Sequence, residues 1–307
     1  MTTPGPSRST DSDDARHAPV LASEVLELLA PRPGGVYVDC TLGAGGHTRR
    51  LVAAGAGLVI GIDRDASALD VAREALGEAA TAVAFVHDDY RHLPAVLAAR
   101  GVTTVDGVVA DLGVSSMQID DAARGFSFRQ AGPLDMRMDR DGDETLADRL
   151  ATVDETTLAD VIWRFGEERH SRRVARAIVA ARDRGDLVDT AALASVVRRA
   201  AGGGTWQRID PATRTFQALR IWVNAELDGL EAFLESAAAV LAPGGRLAVI
   251  AFHSLEDRVV KHTFRRLAAD RDRWQIVTRR PVVPGDEECG RNPRARSARL
   301  RVLERVA

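Results

Sequence analysis

The stretch Asp39-Cys-Thr-Leu-Gly-Ala-Gly-Gly-His47 follows an apolar run, Val36 to Val38, and predicts a strand that ends in a glycine-rich turn. Because glycine has no Cβ, such a turn lets backbone N–H groups and the next helix N-terminus approach a ligand closely. A second apolar run, Leu58 to Ile62, ends at Asp63. An acidic side chain in that place can accept both hydrogen bonds of a ribose diol. The two features together predict a site for a nucleotide-type cofactor.

The spacing of the glycines indicates which cofactor this is. The dinucleotide fingerprint G-x-G-x-x-G would use Gly43 and Gly45 and needs a third glycine at position 48, which is Thr48. The compact cluster Gly43, Gly45 and Gly46 is instead typical of S-adenosylmethionine (SAM) methyltransferases. An NAD-dependent oxidoreductase stays open as an alternative, because it would share the strand, the turn and the acid. A tight turn without a ligand is the remaining alternative.

Composition excludes several other classes of protein. A chain of 307 residues with 45% hydrophobic content can bury a sizeable core in one or two domains. Its one lysine, Lys261, precedes His262, so the chain contains no phosphate loop of the G-x-x-x-x-G-K-[ST] type. Cys40 and Cys289 have no metal-ligand spacing and are predicted to be packing or incidental residues. No metal site is expected.

The N-terminal residues and the lengths of the apolar runs indicate where in the cell the protein is expected. Residues 1–16 are polar and lack an apolar signal-peptide stretch, and no apolar run approaches the ~20 residues of a membrane-spanning helix. We therefore expect a disordered tail at 1–16, a cytoplasmic protein and no membrane partner.

Strand and helix patterns alternate in the first third of the chain. Helical spacing at 20–30, 46–54, 66–77 and 93–100 separates strand candidates at 36–40, 58–63, 82–87 and 105–111. Such alternation predicts an α/β fold with a mostly parallel sheet. From about 117 to 219 the chain is helical in character, for example at Thr156 to Phe165 and Arg172 to Ala181. A helix at 217–241 and strands at 246–252, 274–279 and 298–305 follow. We therefore expect a core at 17–116 and 220–307 with an inserted helical domain at 117–219.

A third acid lies at the end of the fourth predicted strand, in Asp111-Leu-Gly-Val-Ser-Ser116. In an open α/β sheet the ligand crevice lies outside the carboxyl ends of the strands, so Asp39, Asp63 and Asp111 are expected to converge there. SAM carries an ammonium group, a ribose diol and a sulfonium, each of which an acid can hold. A helix cap or turn role is the alternative for Asp111 taken alone.

Longer motifs resemble one family. They are Asp39 to His47, Asp111 to Ser116, Arg124 to Phe128, Gly132 to Met138, Pro211 to Ala218, Phe252 to Arg258 and Asn292 to Ser297. In this order they resemble the RsmH (MraW) family over about 20 to 307. The resemblance implies a class I SAM-dependent methyltransferase core with an inserted helical domain for substrate recognition. It also implies methylation of the exocyclic amine of one cytidine in the decoding region of 16S ribosomal RNA.

The resemblance also implies a set of cofactor-binding residues, namely Gly45, Gly46, His47, Asp63, Tyr90, Asp111 and Gln118. Tyr90 stands where the family often has phenylalanine, so the chain keeps a ring for stacking on adenine and adds a hydroxyl. Without the resemblance, His47 would be interpreted as an N-terminal helix residue.

Three residues are candidates for catalysis. The cytosine amine is a poor nucleophile, and an acceptor placed against its hydrogens would help remove the proton. Asp111 is the first candidate for this role. DNA amino-methyltransferases have an Asp/Asn-Pro-Pro-aromatic tetrad at this strand end, whereas this chain has Asp-Leu-Gly-Val, so the identity of a base stays open. His253 and Ser254, after the next strand, are alternatives that could equally be turn and capping residues.

RNA binding requires arginines for phosphate and flat side chains for stacking. Candidates around the insertion are Phe126, Phe128, Arg129, Arg137 and Arg214. Arg294, Arg296, Arg299 and Arg301 form a second basic stretch, which could also be a solvated strand face. The expected partner is 16S rRNA within the small ribosomal subunit, and the oligomeric state stays open. A non-catalytic RNA-binding or ribosome-assembly protein is a further alternative.

Overall fold

The computed structural model describes residues 19–142, 144–202 and 210–307. The predicted tail at 1–16 lies outside these residues. The chain divides into two compact units, which we call the core unit (Met1–Gly113 with Gly229–Ala307) and the inserted unit (Val114–Asp228). The insertion expected at 117–219 falls within the second unit, and its role in substrate recognition stays a prediction.

A mostly parallel sheet organises the core unit. Its strands lie in the order β3-β2-β1-β4-β5-β7-β6, and the only antiparallel pairs among the described strands involve β7. The strands are β1 Val36–Asp39, β2 Leu58–Asp63, β3 Val83–His87, β4 Val105–Asp111, β5 Leu241–Ala251, β6 Trp274–Ile276 and β7 Arg299–Arg305. The order reverses at β1 and β4, and the carboxyl ends of these two strands form the topological switch point at which α/β folds bind ligands.

Apolar residues cover both faces of this sheet. Tyr37, Val109 and Ile250 belong to one cluster that includes residues of the first two helices, while their neighbours Val38 and Val108 are fully buried on the opposite face. Burial on both faces explains why the strands are continuous apolar runs. The helices of the core unit are α1 Ala22–Leu29, α2 Gly46–Ala53, α3 Ala66–Leu76, α4 Leu93–Ala98, α11 Leu230–Ala239, α12 Ser254–Leu267 and α13 Asp286–Arg291.

The structure differs from the sequence prediction around residues 212–251. The single helix expected at 217–241 is two helices, because Ala225 adopts a left-handed backbone with φ of 48° and ends the first one. Strand β5 starts at Leu241, earlier than predicted. It contains the Ala242–Gly245 turn as an irregularity, where its register against β4 shifts between Val105 and Gly107.

Helices are the regular secondary structure of the inserted unit in the residues described, and irregular chain lies between the first of them and the next, over 125–142 and 144–145. Its helices are α5 Ser116–Asp120, α6 Leu146–Thr152, α7 Glu155–Gly166, α8 Ser171–Asp183, α9 Thr190–Ala201 and α10 Ala212–Asn224. They share a hydrophobic core of their own, which contains Met136, Leu158, Ile178 and Phe216. In the described part of the chain, no helix is both long enough and apolar enough to span a membrane.

Candidate active site

The glycine turn after β1 has the backbone that the sequence predicted. Gly43 and Gly45 have φ of 52° and 78°, a region that side chains other than glycine rarely adopt. The Gly45 N–H donates to Leu42 O at 2.7 Å, and Gly45 is the N-cap of α2. A Cβ on Gly45 would also lie 3.2 Å from the side chain of Leu76. The turn therefore depends on glycine for its conformation and for its packing.

Asp39 ends β1 and is held by two threonines. Its Oδ2 accepts a hydrogen bond from Thr48 Oγ1 at 2.8 Å, and its Oδ1 accepts one from the Thr41 N–H at 3.2 Å. Burial raises the pKa of Asp39 to about 6, although these hydrogen bonds oppose the rise. Thr48 is fully buried. The residue that departs from the dinucleotide fingerprint thus has a structural role that sequence reasoning missed.

Asp63 ends β2 and accepts hydrogen bonds from two neighbouring loops. Its Oδ2 accepts from the Gly43 N–H at 2.8 Å and its Oδ1 accepts from the Asp65 N–H at 2.9 Å. Burial raises the pKa of this carboxyl. Because a carboxylate oxygen has two lone-pair sites, both oxygens keep capacity for a further donor such as a ribose hydroxyl.

Asp111 ends β4 and is the least satisfied of the three acids. Its N–H donates to Thr41 Oγ1 at 2.6 Å, which fixes the backbone, while its Oδ1 is buried with no hydrogen-bond partner among the described residues. Burial, together with the charges of Asp39 and Glu256, raises the pKa of Asp111 well above its usual range. A buried oxygen without a partner is costly unless a ligand supplies one.

His47 lies in the first turn of α2 and faces Asp111. Its Nε2 is 3.9 Å from Asp111 Oδ2 and makes no hydrogen bond to any described residue. Burial and the charge of Arg50 lower the pKa of His47 to about 4, so the ring is neutral at pH 7. The pair is therefore two incompletely satisfied groups rather than an ion pair. The pair offers polar atoms to a ligand, and its predicted contact with SAM, which the family resemblance implies, stays a prediction.

Tyr90 lies directly after β3, in a short helical turn. The Asp89 side chain caps this turn by accepting from the Arg91 N–H at 2.9 Å. The ring of Tyr90 packs against Phe233 with centroids 4.6 Å apart and planes tilted by 58°. The phenolic ring is thus supported by the core unit, and its stacking on adenine stays a prediction.

His253 and Ser254 lie at the start of α12, where Glu256 takes part in the helix cap. His253 is the N-cap, and its Nδ1 accepts from the Glu256 N–H at 3.3 Å. In return, Glu256 Oε2 accepts from the His253 N–H at 3.4 Å, and it also accepts from the Phe252 N–H at 2.8 Å. This reciprocal pattern is a capping box. Glu256 is 1% exposed and was missed by sequence reasoning, although its position three residues after His253 was the available signal. Ser254 is exposed at the first helical position.

Gln118 and the predicted RNA-binding residues belong to the inserted unit. Gln118 is buried, and its Oε1 accepts from the Ser115 N–H at 3.0 Å in another capping box. Its predicted contact with the cofactor stays a prediction.

The structure gives three of the five predicted RNA-binding residues packing roles. Phe126 is buried in the core of the inserted unit, and Phe128 packs edge-on against Phe216 with centroids 4.9 Å apart. The guanidinium of Arg137 makes a two-point contact with Asp135, at 2.7 and 3.1 Å. Arg129 and Arg214 are exposed and accessible to a ligand. Sequence reasoning missed the internal roles because aromatic and arginine side chains serve cores as readily as RNA.

Known proteins resemble this chain in sequence and in fold. The sequence profile of the MraW methylase family matches residues 14–306. Ribosomal RNA small subunit methyltransferase H of Sorangium cellulosum (strain So ce56) is 54% identical, over 95% of this chain and 91% of that protein. The protein of the same name from Deinococcus radiodurans is 53% identical, over 95% and 90%. The crystal structure of a rRNA methylase from Streptococcus thermophilus, 11% identical, has a TM-score of 0.42 and covers 93% of this chain and 94% of that chain.

The fold and the family agree on the cofactor. The sheet order, the glycine turn after β1 and the acid after β2 are those of a class I methyltransferase, whose cofactor is SAM. The profile match over almost the whole chain, with identities above 50% to two relatives over 95% of it, shows that the chain belongs to the MraW methylase family.

Proposed function

We propose that this chain transfers the methyl group of SAM to the exocyclic amine of one cytidine in the decoding region of 16S rRNA. The family is one of methylases, and the relatives are named as methyltransferases of small-subunit ribosomal RNA. The observation that carries the proposal is Asp111, whose buried Oδ1 lacks a partner at the carboxyl end of β4. An NAD-dependent oxidoreductase is not supported, because Thr48 is built into the site through Asp39.

The core unit supplies the groups that would hold the cofactor. SAM, when bound, supplies a methyl group attached to a sulfonium sulfur. The rest of SAM is then a neutral thioether, a good leaving group that needs no acid. Asp63 has lone pairs for ribose hydroxyls, and Tyr90 offers a ring for adenine. Asp111 and His47 offer buried polar atoms without partners. Gly45 and Gly46 let the backbone of the turn approach the ligand.

Asp111 is also the preferred acceptor for the amine hydrogens. A desolvated carboxylate with a raised pKa is a better base than an exposed one, and its fixed backbone keeps the side chain in place. The amine lone pair is delocalised into the ring, so an acceptor at its hydrogens favours the more nucleophilic pyramidal form. Alignment of amine and methyl group then supplies most of the acceleration.

His253 is a weaker candidate for the base. Because Nδ1 accepts a hydrogen bond from the Glu256 N–H, the neutral ring carries its proton on Nε2. In that tautomer neither nitrogen is free to take a proton from the substrate. Its capping role supports the positioning of α12, and Ser254 follows it as the first helical residue.

The decisive experiment follows a labelled methyl group. The protein is incubated with labelled SAM and with 30S subunits, free 16S rRNA, DNA or protein, and the products are digested to nucleosides and identified by mass spectrometry. We expect N4-methylated cytidine from ribosomal RNA, from either the subunit or the free RNA. Transfer only to DNA or to protein would overturn the proposal.

Asp63→Ala tests the cofactor site directly. The variant removes the ribose acceptor and also releases the Gly43 and Asp65 N–H groups, so we expect no SAM binding in calorimetry. Asp70→Ala is the matched control, since its side chain is 81% exposed on α3. Wild-type SAM affinity in Asp63→Ala would contradict the assignment.

A further inference from the structure

A cavity opens in the core unit at the start of α12. It has a volume of about 350 Å³ and is lined by residues from three segments, among them Phe252, His253, Ser254, Val283, Arg296 and Arg299. The segments meet because Val282 and Leu300 form an antiparallel bridge, with hydrogen bonds of 2.9 Å in both directions. The predicted cofactor-binding residues do not line this cavity, whereas His253 and Ser254 do, together with Arg296 and Arg299 of the basic stretch.

The Asn292–Ser297 motif builds one wall of the cavity. Asn292 caps a short 3-10 turn, with Oδ1 accepting from the Arg294 N–H at 3.1 Å. Ala295 and Ala298 are buried in the core, which turns the residues between them outward. Arg296 is exposed and makes no hydrogen bond or ion pair with any residue that the structure describes. The motif thus presents an arginine without a structural partner.

The charge balance of the cavity favours an anion. Asp257 is occupied by Arg301, at 2.7 Å, and by one Nη of Arg299, at 3.0 Å. Glu256 accepts from the backbone N–H of Phe252. Arg299 is half exposed and keeps further donors, and Arg296 keeps all of its donors. The N-terminus of α12 also favours negative charge.

The rest of the lining is suited to a flat apolar group. Phe252 and Val283 offer apolar surface, and Val283 is 58% exposed. The side chain of His253 is 7% exposed, and its Nε2 lies 3.1 Å from Glu256 Oε1 without hydrogen-bond geometry. An apolar surface beside two arginines is the combination that binds a base together with its phosphate.

The cavity also lies beside the candidate active site. Asp111 pairs in register with Ile250, and Phe252 follows two residues later, so the cavity adjoins the next strand of the sheet. Neighbouring strands are about 4.8 Å apart.

We propose that this cavity binds one nucleotide of single-stranded RNA that flanks the methylated residue, with its base against Phe252 and Val283 and its phosphate on Arg296 and Arg299. The proposal rests on the proposed function, because it requires an RNA substrate. It assigns a binding role to the Asn292–Ser297 motif and to the start of α12.

Two variants with matched controls test the proposal. Arg296→Ala removes a phosphate contact, and Arg271→Ala removes an exposed arginine outside the cavity lining. Val283→Glu places a negative charge on the apolar wall, and Val71→Glu does the same at another exposed valine. We expect the KM for RNA to rise about tenfold in the two cavity variants, with an unchanged Kd for SAM. The controls keep the wild-type KM.

A binding measurement separates this proposal from the proposed function. Fluorescence anisotropy with a single-stranded oligoribonucleotide from the decoding region follows RNA affinity without any methyl transfer. Arg296→Ala should lower the affinity and reduce the slope of log K against log salt by about 1. If wild-type protein transfers no methyl to RNA, the proposed function fails while this measurement still decides the cavity. Unchanged KM and unchanged anisotropy in both cavity variants would overturn the cavity proposal alone.

Discussion

Asp39 and Asp111 are acids at the ends of two neighbouring strands, β1 and β4, but the protein treats them differently. Asp39 is 1% exposed, whereas the side chain of Asp111 is 24% exposed, with its Oδ1 buried. Both oxygens of Asp39 accept hydrogen bonds from threonines, whereas Oδ1 of Asp111 has no partner among the described residues. Burial raises the pKa of both groups. We infer that Asp39 belongs to the scaffold and that Asp111 is reserved for ligand. The two acids thus differ in exposure as well as in hydrogen-bond satisfaction, and both differences leave Asp111 the more accessible to a ligand.

The largest expected effect comes from Asp111→Asn. The change keeps the shape of the side chain and removes its ability to carry charge. We therefore expect kcat/KM for methyl transfer to fall about 10- to 150-fold, since a charged hydrogen bond is worth about 1.5–3 kcal/mol. The Tm should stay equal to wild type or rise, because a neutral amide avoids the desolvation that raises the pKa of this carboxyl. Methyl transfer at the wild-type rate would contradict the inference that Asp111, unlike Asp39, acts on a ligand.

Asp39→Asn should change the pH dependence of stability. The pKa of Asp39 is about 6 in the folded state against 3.8 for an ordinary aspartate, so its contribution to the free energy of unfolding is largest below pH 3.8 and is lost as pH rises to about 6. About two pKa units correspond to about 3 kcal/mol. Between pH 4 and pH 7, we expect the free energy of unfolding to decline less in the variant than in wild type, by about this amount.

Urea unfolding at several pH values measures this difference. Asp70→Asn, which removes an exposed carboxylate, is the control. Identical profiles for wild type and Asp39→Asn would mean that Asp39 does not titrate in this range.

Thr48→Val tests whether the hydrogen bond from Thr48 to Asp39 stabilises the fold. It removes the hydroxyl that donates to Asp39 Oδ2 and leaves a buried acceptor unpaired, so we expect a loss of about 2 kcal/mol in the free energy of unfolding at pH 7. In Asp39→Asn the same change should be less costly, because the acceptor is then uncharged. A double-mutant cycle in urea measures the coupling, and additive effects would deny the pairing.

The smallest effect concerns the pH dependence of SAM binding. A cation near Asp111 favours the ionised form, while burial in the free protein favours the protonated one, so binding should release a proton from this group. The affinity then rises with pH, by at most about tenfold per unit, and levels off above the pKa of the free protein. Calorimetry in buffers of different ionisation enthalpy counts the protons. Asp111→Asn should release fewer protons than wild type.

The strand ends were the predictable part of the site. Apolar runs that end in Asp39, Asp63 and Asp111 needed only the rule that parallel strands present their carboxyl ends to one crevice. The hydrogen bonds of Thr41 and Thr48 were not predictable, because they depend on side-chain rotamers and on the packing of α2 against β1. Sequence spacing therefore located the acids but did not tell which of them was already satisfied.

Two other differences have local physical causes. The helix expected at 217–241 is interrupted at Ala225, which has a left-handed backbone although alanine does not signal one in the sequence. Gly229, which also has a left-handed backbone, was the available signal for a break. Phe126 and Phe128 were predicted to bind RNA, and both pack within the inserted unit. An apolar ring has the same sequence signature in either place, so only tertiary contacts separate the two uses.

The position of the inserted unit in the chain has a consequence for biosynthesis. Strand β4 ends before the inserted unit, and its partner β5 begins only after it. A chain emerging from the ribosome therefore completes β1 to β4 and then the inserted helices while the outer edge of β4 is still unpaired. An unpaired edge can associate with other chains. The inserted helices, which have a hydrophobic core of their own, are complete before β5 emerges to close that edge.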